Sequence, residues 1–398
     1  MHRTVTQLCV LTALLVTAIA RPLVAQTPPA DQHQHAQPQS GTSPWMFMSD
    51  ALVNAMFNHQ GGPRGDDEFR APNWWMGMAS RAAGGGRLTF TAMLSLDPLT
   101  VGKAGYAEIF QVGEVLDGRP IVDRQHPHDL LMQLAAVWRR PLKNGFALTL
   151  AGGPAGEPAL GPISFMHRPS AEALVLTPLG HHTLDSTHIA FGVATAAIGR
   201  DKWEVEGSIF NGREPDEDRW DFDFGRMDSV AGRLWFRPKP QWEFQISTGH
   251  LVHPEELEPG DLQRTTASVG WLGRVSDDDF SAVTAGFGVN AAHGVVRHAV
   301  FGEYTRQLAS TALSARAELV ETEAWNGNVG SLTGGVLRDV FRGFRLEASV
   351  GANVTVYAVP ESVKAAYGRP VSFQLFLRVR PQPGHMGRMW NMRMAKPF

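Results

Sequence analysis

Residues 344–357 read Phe-Arg-Leu-Glu-Ala-Ser-Val-Gly-Ala-Asn-Val-Thr-Val-Tyr, and they alternate without a slip. Phe344, Leu346, Ala348, Val350, Ala352, Val354 and Val356 occupy one face, and Arg345, Glu347, Ser349, Gly351, Asn353 and Thr355 the other. Extended backbone sends successive side chains to opposite faces, so this stretch is a strand with an apolar side and a polar, charged side. A soluble sheet has the same period of two. A transmembrane β-strand needs about 9–11 residues of it, with lipid on one face and water on the other, and this stretch is long enough.

The pattern recurs along nearly the whole chain. Strands are predicted at Phe47–Asn58, Asn73–Arg81, Arg87–Asp97, His128–Arg140, Phe146–Gly153, His188–Ile198, Trp203–Gly212 and Asp228–Arg237. They continue at Trp242–Leu251, Gln263–Arg274, Phe280–Asn290, Val295–Arg306, Thr311–Glu321, Ser331–Val340, Phe344–Ala358 and Val371–Arg380. Connections alternate between tight ones, such as Gly199-Arg200-Asp201-Lys202 and Phe341-Arg342-Gly343, and much longer ones. Short turns on one side and long loops on the other are the habit of outer-membrane barrels. The expected fold is all-β: a transmembrane antiparallel β-barrel of sixteen strands, or fourteen if Asn73–Arg81 and Ser331–Val340 are not strands. An even count puts both chain ends on the periplasmic side. Trp74, Trp75, Trp138, Trp203, Trp242 and Trp271 lie near strand ends, as expected for an aromatic girdle.

The first residues have the form of an export signal, with Arg3, an apolar core from Leu8 to Ala20 and a favoured cleavage after Ala25. The expected organisation is a signal peptide at 1–25, a flexible periplasmic tail at 26–44, a barrel at 45–380 and a C-terminal tail at 381–398 ending in Phe398. Cys9, the single cysteine, lies in the signal, so disulfides, thiolate metal sites and cysteine nucleophiles are excluded from the exported chain. Lys and Arg number 36 against 39 Asp and Glu; losing Arg3 and Arg21 leaves 34 against 39, a net charge of −5, which does not suggest nucleic acid. The expected location is the outer membrane. The expected partners are lipid, lipopolysaccharide, the barrel-assembly machinery and a small solute or metal ion, with a homotrimer left open.

The inward face of the predicted strands carries both signs of charge: Glu204, Glu206, Arg233, Arg237, Glu243, Arg264, Arg316, Glu318, Arg345, Glu347, Arg378 and Arg380. Such a lumen pairs its charges across neighbouring strands and holds water, which argues against a pore lined by one sign.

Six of the fifteen histidines fall in two long outer loops and the strand starts beside them. Asp123-Arg124-Gln125-His126-Pro127-His128-Asp129 leads into one strand. Met166-His167-Arg168 and then His181-His182-Thr183-Leu184-Asp185-Ser186-Thr187-His188 lead into another. Neutral imidazole is the commonest ligand for late transition metals, and His126-x-His128 puts two rings on one side of an extended chain. His126, His128, His167, His181, His182, Asp185 and His188 are therefore candidate ligands for copper or another divalent ion, though no fixed motif such as His-Glu-x-x-His is present. The competing expectation is a loop plug tied by hydrogen bonds, with Asp123, Arg124, Asp129, Arg168, Arg213 and Glu214 as its charged members.

Methionines cluster early (Met46, Met48, Met56, Met76, Met78) and late (Met386, Met389, Met392, Met394), and His33 and His35 lie in the tail. Thioether sulfur prefers Cu(I), but methionine also fills irregular apolar gaps. The loop from Asn211 to Asp223 is acidic without the calcium-loop spacing. A lipid hydrolase built on Ser186 and His188 is disfavoured, because neighbours in sequence rarely form a working triad and no Gly-x-Ser-x-Gly elbow is present.

Asn58-His59-Gln60-Gly61-Gly62-Pro63-Arg64-Gly65, Asp123 to Asp129, Phe165-Met166-His167-Arg168-Pro169-Ser170 and Asn211-Gly212-Arg213-Glu214-Pro215-Asp216 resemble a family of largely uncharacterised bacterial outer-membrane proteins. The resemblance extends over nearly all of the mature chain. Some members carry a richer His/Met tail, which implies periplasmic metal as a topic, and the family supplies no catalytic residues. The expected function is passage or binding of a small solute or metal ion through a loop-occluded lumen. A general diffusion porin is the alternative.

Overall fold

The computed structural model describes residues 44–382 except 277, 322–324 and 326. The predicted signal peptide, nearly all of the periplasmic tail with His33 and His35, and the C-terminal tail from 383 with its methionines and Phe398 lie outside the described residues.

The strands are β1 (Met46–His59), β2 (Asp67–Arg70), β3 (Asn73–Ala83), β4 (Gly86–Leu94), β5 (Tyr106–Leu116), β6 (Arg119–Gln125), β7 (Leu131–Pro141), β8 (Phe146–Gly156), β9 (Ala190–Arg200) and β10 (Trp203–Phe210). Then come β11 (Ser229–Phe236), β12 (Trp242–Leu251), β13 (Leu262–Ser276), β14 (Asp279–Ala292), β15 (Val295–Leu308), β16 (Thr311–Glu321), β17 (Asn328–Gly343), β18 (Leu346–Ala358) and β19 (Val371–Pro381). All but β5 and β6 belong to one antiparallel sheet. β1 pairs with β19 from Val53↔Val379 to His59↔Phe373, which closes the sheet on itself. β2 and β3 pair with successive parts of β1 and share one position, so the barrel has sixteen strand positions. These are the sixteen that the alternation predicts. Closure matters energetically because an open edge in hydrocarbon would leave backbone N–H and C=O groups without partners.

The outer face is apolar. Val350, Val354 and Val356 of β18, Leu375 and Leu377 of β19, and Val205 and Ile209 of β10 are exposed, while Glu347, Ser349, Asn353 and Thr355 of β18 point inward and are buried. Trp203, Trp242 and Phe236 gather near the tight-turn end, with Trp203 stacked on Phe236 at 4.1 Å between centroids. Trp74 departs from the girdle expectation: it is 7% exposed, turned inward, and packs against His167.

Three boundaries move. β18 begins at Leu346, because Phe344 (φ 51°) and Arg345 (φ 62°) take up the left-handed conformation of a two-residue hairpin turn. Arg345 is consequently exposed in that turn and does not line the lumen. β7 starts at Leu131 and β9 at Ala190, so His128 and His188 belong to loops and are free of the strand's alternation. The segment between β4 and β7, taken as loop from the sequence, contains the β5–β6 hairpin, which forms a separate two-stranded sheet.

Replacing Val350 or Val354 by Arg puts a cation on the lipid face near the middle of β18 and is expected to destabilise the barrel by roughly 2–4 kcal/mol. Urea titration of protein refolded into lipid vesicles measures this directly.

Candidate functional site

The β8–β9 connection, residues 157–189, runs into the barrel. A chain there has no ladder partners for its backbone, and the wall supplies them from inward-pointing side chains. Ala159 N donates to Ser208 Oγ (2.7 Å), Gly161 N to Ser247 Oγ (2.9 Å), Ala173 N to Ser314 Oγ (3.0 Å), and Val175 N to Asn353 Oδ1 (2.9 Å). The carbonyls of Ala173 and Leu176 accept from Asn353 Nδ2 (2.6 Å) and Arg316 Nη1 (3.1 Å). The loop's apolar side chains fill the interior: Leu160 packs with Val193, Phe210 and Leu251, and Val175 and Leu176 with Met56, Leu337 and Phe376. Gly161 has φ +83°, and a Cβ there would stand 2.5 Å from the Leu184 carbonyl, so this fold of the loop requires glycine. The bore is thus partly an apolar core, where the sequence suggested a wet, self-neutralised lumen. The run Ala171-Glu172-Ala173-Leu174-Val175-Leu176 was the signal available for this.

One guanidinium anchors the middle of the loop. Arg168 makes a bidentate pair with Glu303 of β15 (2.9 Å for both contacts) and a third bond to Asp185 Oδ2 (2.9 Å). Arg316 completes Glu303 from the next strand at 3.0 Å.

The six loop histidines come together around Asp185. Ring centroids run His126 to His182 (5.4 Å), His182 to His181 (5.4 Å), His181 to His188 (5.2 Å) and His188 to His128 (6.0 Å), an unbroken series of five imidazoles. His167 lies beside them against Trp74 at 5.4 Å. Their hydrogen bonds set the tautomers. His181 Nδ1 faces Asp185 Oδ1 (2.6 Å), His128 Nδ1 faces Asp97 Oδ2 (2.8 Å), His188 Nδ1 faces the Asp185 carbonyl (2.9 Å), and His126 Nδ1 faces the Pro127 carbonyl (3.2 Å). Carboxylates and carbonyls only accept, so each of these Nδ1 atoms carries the proton and each Nε2 presents a lone pair. Nε2 of His126, His182 and His188 is buried without a hydrogen-bond partner.

Burial pushes His126, His181 and His182 below the ordinary histidine range, His167 to about 4 and His188 to about 3. Burial also opposes ionisation of Asp185, yet the His181 N–H and the Arg168 guanidinium outweigh it and hold the carboxyl well below its usual range. The outer side of the cluster is acidic. Glu214 stands 3.5 Å from His182 Nδ1 and is pushed up to about 7 by burial and by Glu114. Glu114 stands 3.5 Å from His126 Nε2 and also pairs with Arg219, which reaches Asp129 at 3.4 Å. Burial raises Asp129 to about 7 despite Arg219.

The other predicted residues distribute as follows. Asp123, itself at φ 61°, accepts from Phe110 N (2.9 Å), Arg64 (2.5 Å) and the Tyr367 hydroxyl (2.9 Å), and Arg124 pairs with Glu68 at 3.0 Å. Arg213 turns away from the plug to Asp228 at the exposed rim (2.9 Å), because its own strand end offers that carboxylate first. Lumen charges pair across strands: Arg233 with Glu206 (2.8 Å), Arg237 with Glu243 (2.7 Å), Arg139 with Glu204 (2.8 Å), and Arg380 with Glu347 (2.5 Å). Glu318 accepts from Gly180 N (3.2 Å), and Arg378 donates to Asn54 (2.8 Å). Ser186 Oγ is held by Arg264 Nη1 at 2.8 Å while His188 turns to Asp185, an arrangement that does not couple them as nucleophile and base. His126 and His128 both meet the β8–β9 loop, each ring against a different histidine of it. Asp97, Glu303, Glu114 and Arg219 are the partners that sequence reading missed. Asp97 lies 31 residues before His128, with no motif joining them.

Among the described residues, the trio whose ligand atoms all lie within 4.8 Å of one another is Asp216, Asp221 and Asp223 in the exposed acidic loop.

No family model and no curated protein matches the chain. Solved structures do. OprB of Pseudomonas putida, in its high-pH structure, is similar with a TM-score of 0.53 and 9% identity over 85% of this chain and 94% of that one. The anion-selective porin of Comamonas acidovorans (0.49, 9% identity, 85% and 100% covered) and Salmonella typhi OmpF in complex with daunomycin (0.49, 7%, 84% and 97%) are further matches. At such identities the likeness concerns the fold, an outer-membrane type of β-barrel.

Two predictions follow from the loop's chemistry. Free histidines bind protons near pH 6.5, whereas the packed His167 and His188 resist down to about 4 and 3, so acid favours the released loop. The histidine contribution to the packed loop is fully present above about pH 6.5 and is lost as pH falls toward 4, opposed in part by Glu214 and Asp129, which take up protons near 7. With two strongly lowered histidines dominating, conductance recorded in planar bilayers should rise as pH approaches 4. Arg168→Ala leaves Asp185 without its cation and Glu303 short of one, a loss of about 3–5 kcal/mol from the closed state. Chymotrypsin sensitivity of the loop at neutral pH, through Phe165 and its leucines, reports it.

Proposed function

We propose that this chain is an outer-membrane conduit, inserted by the barrel-assembly machinery among lipid and lipopolysaccharide, whose lumen is closed by the β8–β9 loop around a binding site for a late transition-metal ion. The ion is cargo. The observation that carries the reading is the tautomer set: His181, His128 and His188 each present a lone pair at Nε2 because a carboxylate or carbonyl holds Nδ1. Ligating histidines are oriented in this way, by an outer partner on the second nitrogen. Burial favours the neutral form of His126, His181, His182 and His188, the form that binds metal, and Nε2 of His126, His182 and His188 is buried without a hydrogen-bond partner. The nitrogens stand further apart than one coordination sphere spans, so the reading requires the loop to draw its rings together around the ion with their Nδ1 partners kept.

Copper fits this donor set, because imidazole-rich sites bind Cu²⁺ more tightly than the other divalent first-row ions. Carboxylates at the outer side, Glu114 and Glu214, suit first capture of a cation from the medium. The paired charges of both signs along the wall fit a conduit whose selectivity resides in the loop site.

Refolded protein is expected to bind Cu²⁺ in calorimetry, and the His126/His128/His181/His182 alanine variant to lose that binding. Asp97→Asn, which touches no ion, should weaken it by about 10–100-fold through loss of His128's orienting partner. Unchanged affinity in both variants rejects the metal site, and conductance indifferent to Cu²⁺ would then leave a diffusion porin.

A further inference from the structure

The interior packs with different side chains on its different sides. Elsewhere in the interior, the buried clusters are built from Leu, Val, Ala, Ile, Phe, Trp and Tyr, with Met56 as the lone methionine among them. The wall formed by β1, β3, β4 and the start of β7 is different. There Met76, Met78, Met93 and Met132 are buried with Trp74, and Met48 and Met166 pack on them. Six of the chain's fourteen methionines thus meet in one patch. A single methionine is an ordinary gap filler, but a patch in which thioether replaces nearly all the aliphatics used elsewhere in the same interior calls for a chemical reason.

The patch adjoins the histidines. Met166 precedes His167, whose ring lies on Trp74 at 5.4 Å, and Ile189, which follows His188, packs into the same cluster. Strand register gives the depth. Met48 sits opposite Met78 near the periplasmic start of β1, and Met76 opposite Met93 lies further out. Glu114 and Glu214 belong to outer connections, so the donors change from carboxylate to imidazole to thioether along the bore, from outside to inside.

Resting on the reading that the histidine cluster takes a metal ion, we propose that the methionine patch is a second binding site, continuous with the cluster and selective for a soft monovalent d¹⁰ cation of the Cu(I) class. Neutral thioether sulfur suits such soft ions, whereas Zn²⁺ takes thiolate, imidazole or carboxylate. No electron transfer is invoked: the ion arrives in its monovalent form, and Ag⁺ serves as a redox-silent probe.

The test uses the refolded barrel in chloride-free nitrate buffer, titrated calorimetrically with Ag⁺ and separately with Zn²⁺. The variant is Met76→Leu/Met93→Leu/Met132→Leu/Met166→Leu, near volume-conserving swaps that cores tolerate. The expected result is an Ag⁺ affinity lowered by at least about tenfold with Zn²⁺ affinity unchanged, since sulfur is the donor removed. Equal Ag⁺ affinity in parent and variant overturns the methionine site while leaving the histidine reading intact. Loss of Ag⁺ binding in the variant, in a parent that binds neither Zn²⁺ nor Cu²⁺, supports the methionine site and removes the histidine one. Should the variant not refold, X-ray absorption at the silver edge of the Ag⁺-loaded parent decides: sulfur scatterers support the site, and nitrogen and oxygen alone overturn it.

Discussion

The structure depends on how thirty-odd residues of irregular backbone survive inside a closed barrel. Residues 157–189 have no neighbouring strand to bond, and their buried N–H and C=O groups would each be expensive if left bare. Ser208, Ser247, Ser314 and Asn353 point inward from four different strands and supply the missing partners. Their positions on the wall therefore dictate the path of the loop. Apolar contacts of Leu160, Val175, Leu176 and Leu184 with the same wall provide the driving force, and the Arg168 bridge to Glu303 and Asp185 fixes the register.

The histidine chemistry follows from that packing. Once the loop occupies the bore, the imidazoles of His126, His167, His181, His182 and His188 are buried, and burial favours their neutral form. Asp185 organises three things at one point: it anchors Arg168, it directs His181 through its carboxylate, and it directs His188 through its carbonyl. Asp97 does the same for His128 from the far side of the β5–β6 hairpin. A lone-pair nitrogen facing a buried space with no donor to meet it is a poor structural element and a good ligand. That contrast separates this cluster from the Arg–Glu pairs of the wall, such as Arg233 with Glu206, which satisfy each other and need nothing further.

Much of this was legible along the chain. The alternation through β18 locates lipid and water, because the side-chain period of a strand is independent of its neighbours, and Val350 and Asn353 fall on the faces their polarity predicts. Crowding of six histidines into two connections was also visible, as was the run of apolar residues at 171–176 that no solvated loop needs. Trp74 reads as a girdle residue because a strand end near lipid and a strand end beneath an inward loop look the same in sequence. Alternation places Arg345 in the lumen because it cannot announce where a hairpin consumes two residues in left-handed backbone.

The amino-acid sequence by itself determined a sixteen-strand closed sheet, its inside and outside, and which loops hold the crowded histidines, since those depend on local period and composition. Tertiary structure alone decided that the loop enters the bore, that Asp97 meets His128 and Asp185 meets His181, and that five methionines of the wall gather with Met166 of the loop beside them. Such meetings are set by strand order and shear around a cylinder, which bring residues tens or hundreds apart into contact by geometry that no single segment encodes.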